Sequence, residues 1–392
     1  MTGPQTLRII SFLDPHKPSI QSDLSWLALR QVRALVNAGM PVQWQILEPP
    51  APLRGLQQTR PPVELPMTAI EHMAQHDARL ADLPAVARHT RINGNADILL
   101  AVTSPEWWAP LLGNAKKRIA YLERNPHWPL HTLAHLCESC DEIWLPDAQW
   151  AEIMHEVCAA PNLAVMPPIR QHRASYNLDQ TRLHAFQSSL DVTAGSFVFL
   201  CTLDGHGMQG CGHLLAAWEK AFGERMDIDV SLILHCPPQF VAPAAIDGFV
   251  DTASWIEERM THARHTGVVL LDQHLNGDGE DLLRASAQVL LVADEGDGLG
   301  MRVMDSVDAG NAVVAAARRG LEGLLGTEWQ GFAPIALSQT SALAEALLDA
   351  YETIFDKGQQ RTLIQWHATH HLSEAAFVQR VLERLPILDA QA

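Results

Sequence analysis

The stretch QVLLVADEGDGLGMRVMDSVDAGNAVVAA, residues 288–316, decides the reading of the fold. QVLLVA is an aliphatic run of the length of a buried strand. ADEGDGLG follows, with two glycines two apart, Gly298 and Gly300, that let the backbone turn tightly and approach a ligand. MRVMDSVDAG then has helical periodicity, and AVVAA (312–316) is strand-like again. Strand, loop, helix and strand in this order form a βαβ unit. The helix start, roughly Leu299 to Arg302, gathers backbone N–H groups and about half a positive charge in effect. That is a natural seat for a phosphate. Two carboxylates, Asp297 and Asp305, flank it, one before the helix and one inside it.

The same alternation runs outward from this unit in both directions. LRIISFL (7–13) leads to a helix around 23–37 and then to PVQWQIL (41–47). A Pro-rich stretch (48–66) reads as a loop, followed by a helix within 68–90. ADILLAV (97–103), RIAYL (118–122), DEIWL (141–145), a helix at 147–158 and LAVMP (163–167) complete the first series. A polar stretch follows, and the pattern restarts with SFVFLC (196–201). A helix at 211–223, VSLILHC (230–236), a helix at 249–263, GVVLL (267–271), a short helix at 279–286 and the opening stretch make up the second series. Helices near 340–355 and 373–385 close the chain. The expectation is an α/β protein with two Rossmann-like, doubly wound domains facing a cleft. The boundaries read as 1–170 for the first domain, 171–195 for a linker, 196–355 for the second domain and 356–392 for terminal helices.

Length and composition support two sizeable cores, because 392 residues with 47% hydrophobic side chains suit two domains. The net charge of −17 argues against binding nucleic-acid backbones or anionic lipid. No run of 18 or more apolar residues and no basic-then-apolar leader is present, so a cytoplasmic protein is expected. Cys137 and Cys140 form a C-x-x-C with His131 and His135 upstream. No second ligand pair of matching spacing accompanies them, so the segment reads as a helix whose cysteines pack. His367 and His371 in WHATHH stand at the i, i+4 spacing of a metal pair but lack the zincin glutamate, and they read as a solvated helix end.

The segment D-G-L-G-M-R-V-M-D-S-V-D-A-G-N-A-V (297–313) resembles, without a gap, the signature E-G-F-G-L-P-x-L-E-A-M-A-x-G-x-P-V of retaining, family 4-type glycosyltransferases of the GT-B fold. DEIWLPDAQWAEIM is similar to the stretch near the end of that family's first domain. MPPI resembles its entry into the linker, and VLLDQHLNGDGEDLLRASAQVLLVADEGDG resembles the approach to the signature. The resemblance implies that the terminal helices, 356–392, cross back to the first domain, and it implies a nucleotide diphosphate sugar as co-substrate, with no cofactor and no metal. Asp305 falls on the second acidic position, which binds the ribose hydroxyls. Asp297 falls on the first, beside the transferred sugar, and is the implied catalytic residue. Backbone amides of Gly298, Leu299, Gly300 and Met301 would meet sugar and phosphate oxygens. The acceptor would be a glycan, a lipid-linked molecule or a protein.

The chain departs from the family where the diphosphate is held. The family carries an Arg and a Lys after the first strand of its second domain; here the loop is LDGHGMQGCGHLL, with Met208 and Gln209 at those places. His206 and Gln209 in that loop, His213 near it, Arg302 in the first helical turn, and the doublet Arg318–Arg319 after AVVAA are the candidate substitutes. Each arginine also reads as a solvated loop charge. Asp in place of Glu at both acidic positions shortens the reach by ~1.5 Å, and a misplacement near ~1 Å can cost about a hundredfold in rate. On the acceptor side, Lys17, Glu106, Glu123 and His127 stand in βα loops. Trp107, Trp108 and Trp128 beside them read equally as sugar-stacking platforms or packing anchors. Two further readings stand beside the transferase: a non-catalytic GT-B homologue acting as a partner subunit or sugar-binding scaffold, and a two-lobed solute-binding protein.

Overall fold

The computed structural model describes residues 6–15, 23–49, 61–91, 94–113, 115–124, 129–158, 162–170, 179–193, 195–203, 208–225, 228–237, 252–262, 267–292, 300–315, 340–353 and 370–385. The chain divides into two compact units, Met1–Gln171 with Thr369–Ala392, and His172–Ala368.

The first unit is built from β1 (Leu7–Phe12), α1 (Asp23–Asn37), β2 (Val42–Glu48), β3 (Val63–Glu64), α2 (Met67–His76), α3 (Leu83–His89), β4 (Ile98–Val102), α4 (Trp108–Leu112), β5 (Lys117–Tyr121), α5 (Leu130–Cys137), β6 (Glu142–Leu145), α6 (Ala148–Val157) and β7 (Asn162–Val165). Its sheet has the order β3-β2-β1-β4-β5-β6-β7. All pairings are parallel except β2 with the two-residue β3. Central strands are covered on both faces, which is why they read as unbroken apolar runs; Leu7, Ile9 and Ile10 of β1 are all buried. The one polar side chain deep in β1, Ser11, accepts a hydrogen bond from Trp44 Nε1 at 2.9 Å.

The second unit holds α7 (Gln180–Ser189), β8 (Phe197–Thr202), α8 (Met208–Phe222), β9 (Val230–His235), α9 (Thr252–His262), β10 (Val268–Leu271), α10 (Gly277–Ser286), β11 (Val289–Val292), α11 (Met301–Ala309), β12 (Ala312–Ala315) and α12 (Thr340–Thr353). Its parallel sheet runs β10-β9-β8-β11-β12. Aromatic rings form one face of its core. Phe199 meets Trp218 at 5.5 Å and Phe222 at 5.9 Å, and Phe197 meets Tyr351 at 5.3 Å. These rings tie β8 to α8 and α12.

The last helix, α13 (Glu374–Arg384), belongs to the first unit. Ser373 caps it by accepting from Ala376 N at 3.2 Å. Its apolar face presents Phe377 edge-on to Trp144 of β6, and the Glu374 carboxylate accepts from Asn37 of α1 at 3.1 Å. Arg384 reaches the buried Glu142 at 2.9 Å, where Lys117 also binds at 2.9 Å and Trp144 Nε1 donates at 2.8 Å. Burial alone would push the Glu142 carboxyl up. The three donors outweigh it and hold that carboxyl below the ordinary range.

Three local expectations differ from the structure. The stretch 48–66 contains β3, whose antiparallel pairing gives the sheet a short mixed edge. The single helix expected within 68–90 is α2 and α3 with a 3-10 turn between them, because Asp77 is extended there and its carboxylate is bound by Arg79 at 2.7 Å. Pro84 then sits in the first turn of α3, where it costs no hydrogen bond. The polar stretch 171–195 holds α7, which buries none of its residues and ties to α10 through the Arg182–Asp278 ion pair. Among the described residues no helix is long and apolar enough to cross a membrane.

Candidate functional site

In an open parallel sheet the ligand crevice lies beyond the carboxyl ends of the strands, where the strand order reverses. In the second unit β8 lies between β9 and β11, so the reversal falls between β8 and β11. The helices that follow these two strands are α8 and α11. Both therefore start at the carboxyl edge, beside the reversal.

Gly300 is the N-cap of α11, with φ 67° and ψ 21° in the left-handed region. An L-residue there is strained by roughly 1–2 kcal/mol, so glycine is what the turn requires. The first intrahelical bond runs from Met304 N to Gly300 O at 3.0 Å. Met301, Val303, Met304 and Val307 bury the inner face, which fixes how the helix axis meets the sheet. Arg302 and Asp305 are half-buried and three residues apart, so they share one outer face of the helix. Ser306 and Val307 carbonyls close the far end on Gly310, itself left-handed at φ 94°.

Around α11, the edge gathers groups that the sequence did not single out. His235 ends β9, is buried, and has Nε2 3.2 Å from the Gln273 carbonyl. Burial lowers its pKa, and the nearby Arg302 and Arg284 cations add to that against the Gln273 carbonyl and Glu280, so the imidazole is neutral at pH 7. Arg302, in the first turn of α11, starts from the same edge. The next helix, α10, is capped by Asn276, whose side chain accepts from Gly279 N at 2.9 Å. The only sequence signal for His235 was a histidine closing an apolar strand, VSLILH, which is weak alone.

Of the donor-side residues, Gly300, Met301, Arg302 and Asp305 are thus brought together on one helix start. Gln209 is in the first turn of α8 and not in the loop before it. Cys211, Leu214, Leu215 and Trp218 form a buried helical stripe, and the helix extends a turn ahead of it. His213 lies on the exposed side of the same helix. Asp297, Gly298, Leu299, His206, Arg318 and Arg319 lie outside the described residues.

In the first unit the order reverses between β1 and β4. The segment after β4 was expected as a loop but forms a 3-10 turn, Pro105–Trp107, and then α4. Glu106 is exposed there and accepts from Ser104 Oγ at 2.7 Å. Trp107 packs edge-on against Phe12 at 6.1 Å. Trp108 is fully buried and donates to the Thr103 carbonyl at 3.1 Å, so it is a packing anchor with no face left for a sugar. Glu123 follows β5 and is partly exposed. Asp147, which caps α6 by accepting from Trp150 N at 2.7 Å, stands beyond β6, and burial raises its pKa. Lys17, His127 and Trp128 lie outside the described residues. Cys137 and Cys140 are buried in the core, whereas His131 and His135 are exposed and His135 faces Glu138 at 3.2 Å. Of the WHATHH cluster, His370 and His371 are described and exposed; His367 is outside.

No family model matches the chain, and no curated protein matches it in sequence. Solved structures match it over nearly its whole length. HepE of Anabaena, in complex with UDP and glucose, is 14% identical, with a TM-score of 0.64 over 97% of this chain and 99% of that one. An E. coli trehalose-6-phosphate protein bound with UDP-2-fluoro glucose is 12% identical, with a TM-score of 0.66 over 97% and 99%. A UDP-forming α,α-trehalose-phosphate synthase from Burkholderia xenovorans is 14% identical, with a TM-score of 0.62 over 99% and 100%. The architecture is that of the GT-B class: two Rossmann-like α/β units, each with its own sheet, parallel but for the β2–β3 edge of the first.

Proposed function

We propose that the protein is a glycosyltransferase that moves a sugar from a nucleotide diphosphate sugar to an acceptor hydroxyl. The observation that carries this reading is the start of α11, led by a left-handed glycine, at the strand-order reversal of the second sheet. A helix N-terminus favours the diphosphate electrostatically. Similar folds bind UDP and UDP-glucose, which supports the same ligand class here.

In this reading Asp305 accepts hydrogen bonds from the ribose hydroxyls, and the amides from Gly298 to Met301 meet phosphate and sugar oxygens. Asp297 stands by the anomeric carbon, where a carboxylate stabilises the positive charge that develops as the sugar–phosphate bond breaks. Transfer is with retention, as in family 4-type enzymes, and proceeds without a metal. The departing diphosphate carries about two to three negative charges against about half a positive charge at one helix end, so it needs cationic help. Arg302 supplies it, with Arg318, Arg319 and His206 as further candidates and Gln209 as a neutral donor. Lys17, Glu106, Glu123 and His127 are proposed to contact the acceptor.

The test is a thermal-shift panel of UDP, GDP, ADP and CMP. One diphosphate should raise the melting temperature, by the equivalent of about 2.7 kcal/mol at a hundred times its Kd. Asp305→Ala and Arg302→Ala should each weaken that ligand about tenfold or more. No shift with any nucleotide at millimolar concentration would sink the proposal. The substituted carboxylates and the missing basic pair favour a second reading, a nucleotide-sugar-binding homologue without transfer. Tight binding with no donor hydrolysis across a sugar panel would select it.

A further inference from the structure

Two metal-ligating side chains that the proposed transferase site does not use face each other on α2. His72 and His76 lie one turn apart on α2, and their Nε2 atoms are 3.1 Å from each other. The rings approach to 4.4 Å between centroids at 61°. Both are exposed, whereas Ile70 and Met73 of the same helix are buried and anchor its other face. The pair therefore sits on a fixed helical frame with its nitrogens turned toward a common point.

In the metal-free protein one Nε2 must carry a proton and donate it to the lone pair of the other. The same nitrogen separation suits a cation, which would sit off the N–N line and take a lone pair from each ring. With metal–nitrogen bonds of ~2.0–2.1 Å, a nitrogen separation of 3.1 Å gives an N–M–N angle of about 95–100°. That is close to the right angle of square-planar or octahedral copper(II) and nickel(II), and within reach of tetrahedral zinc. Among the described residues no group of three or more His, Cys, Asp or Glu could hold a metal, so the other coordination positions go to water. Glu71, the adjacent carboxylate on α2, is taken by Arg88 of α3.

We infer that His72 and His76 form a two-histidine chelate for a divalent transition-metal ion, with an open outer coordination sphere and affinities in the order Cu2+ above Ni2+. Binding links two successive turns at the end of α2 and stabilises that helix by mass action. It is independent of nucleotide-sugar chemistry.

The test is calorimetric titration of the full chain at pH 7.5 with copper(II), nickel(II) and zinc(II), alongside copper EPR. Wild type should show one site at least tenfold tighter than any other, with a signal of two equatorial nitrogens. His72→Ala and His76→Ala should each abolish that site, while His131→Ala, an exposed histidine elsewhere, should leave it intact. Copper should bind more tightly than nickel. All substituted positions are exposed, so unchanged circular dichroism should accompany the loss. The inference is overturned if either alanine variant at 72 or 76 binds copper and nickel as wild type does, or if wild type has no such site.

Discussion

The two α/β units solve the same packing problem with different chemistry. In the second, Phe197, Phe199, Trp218, Phe222 and Tyr351 lock β8 against α8 and α12 through ring edges and faces. In the first, the returning helix α13 is fixed by a buried carboxylate, Glu142, that gathers Lys117, Arg384 and Trp144. The aromatic arrangement contributes non-directional, pH-independent stability. The ionic one is directional: it positions a helix drawn from far along the chain, and it depends on one carboxyl staying ionised.

The contrast is open to direct attack. The largest loss should follow Trp218→Ala, which empties a fully buried ring site. It should cost about 3–5 kcal/mol, read as a lower urea midpoint that shifts equally at pH 7 and pH 4.5. Glu142→Gln should cost about 2 kcal/mol at neutral pH, because Lys117 and Arg384, both partly exposed, lose the buried charge that holds them. Here the sign with pH matters. The Glu142 pKa is depressed in the folded protein, so its contribution is full above the unfolded value of about 4.5 and is lost as pH falls through the folded value. The gap between wild type and variant should therefore close in acid. A gap that is constant with pH would show that packing, not charge, fixes α13. The smallest effect on stability, roughly 1–2 kcal/mol, should come from Gly300→Ala at its positive φ. Gly300→Asn should cost less, since Asn tolerates that conformation. If the helix start binds nucleotide, both variants should also lower the affinity for the diphosphate, and intact affinity in Gly300→Ala would separate the cap from the site.

Much of this was legible because it is local. The helix expected around 23–37 is α1, Asp23–Asn37, since a strong apolar stripe and a sheet on one side leave little freedom. Strand positions fell within a residue or two for the same reason: buried parallel strands are continuous apolar runs. The Gly300 turn and the helix carrying Arg302 and Asp305 were visible as glycine followed by helical spacing. What was missed lacked a periodic signal. No side chain of α7 is buried, so no apolar stripe marked it. Trp108 looked like a possible sugar platform because a tryptophan's hydrogen-bond partner, here the Thr103 carbonyl, is not written in its neighbours. His235 gained its meaning only from Gln273 and Arg302, which other loops deliver.

The order of strands and helices, and the class of fold they build, were fixed by side-chain patterning, because a sheet covered on both faces demands unbroken apolar runs in its strands and a period of three to four in the helices that cover it. The sequence also set the composition of the α11 start, since glycine and the residues after it are local requirements. Which strands are neighbours, where the order reverses, and that Arg384 closes on Glu142 across 242 residues were decided by tertiary structure alone. Those choices depend on which distant surfaces exclude water together and which distant charges are buried together, and no local window of the chain contains both partners.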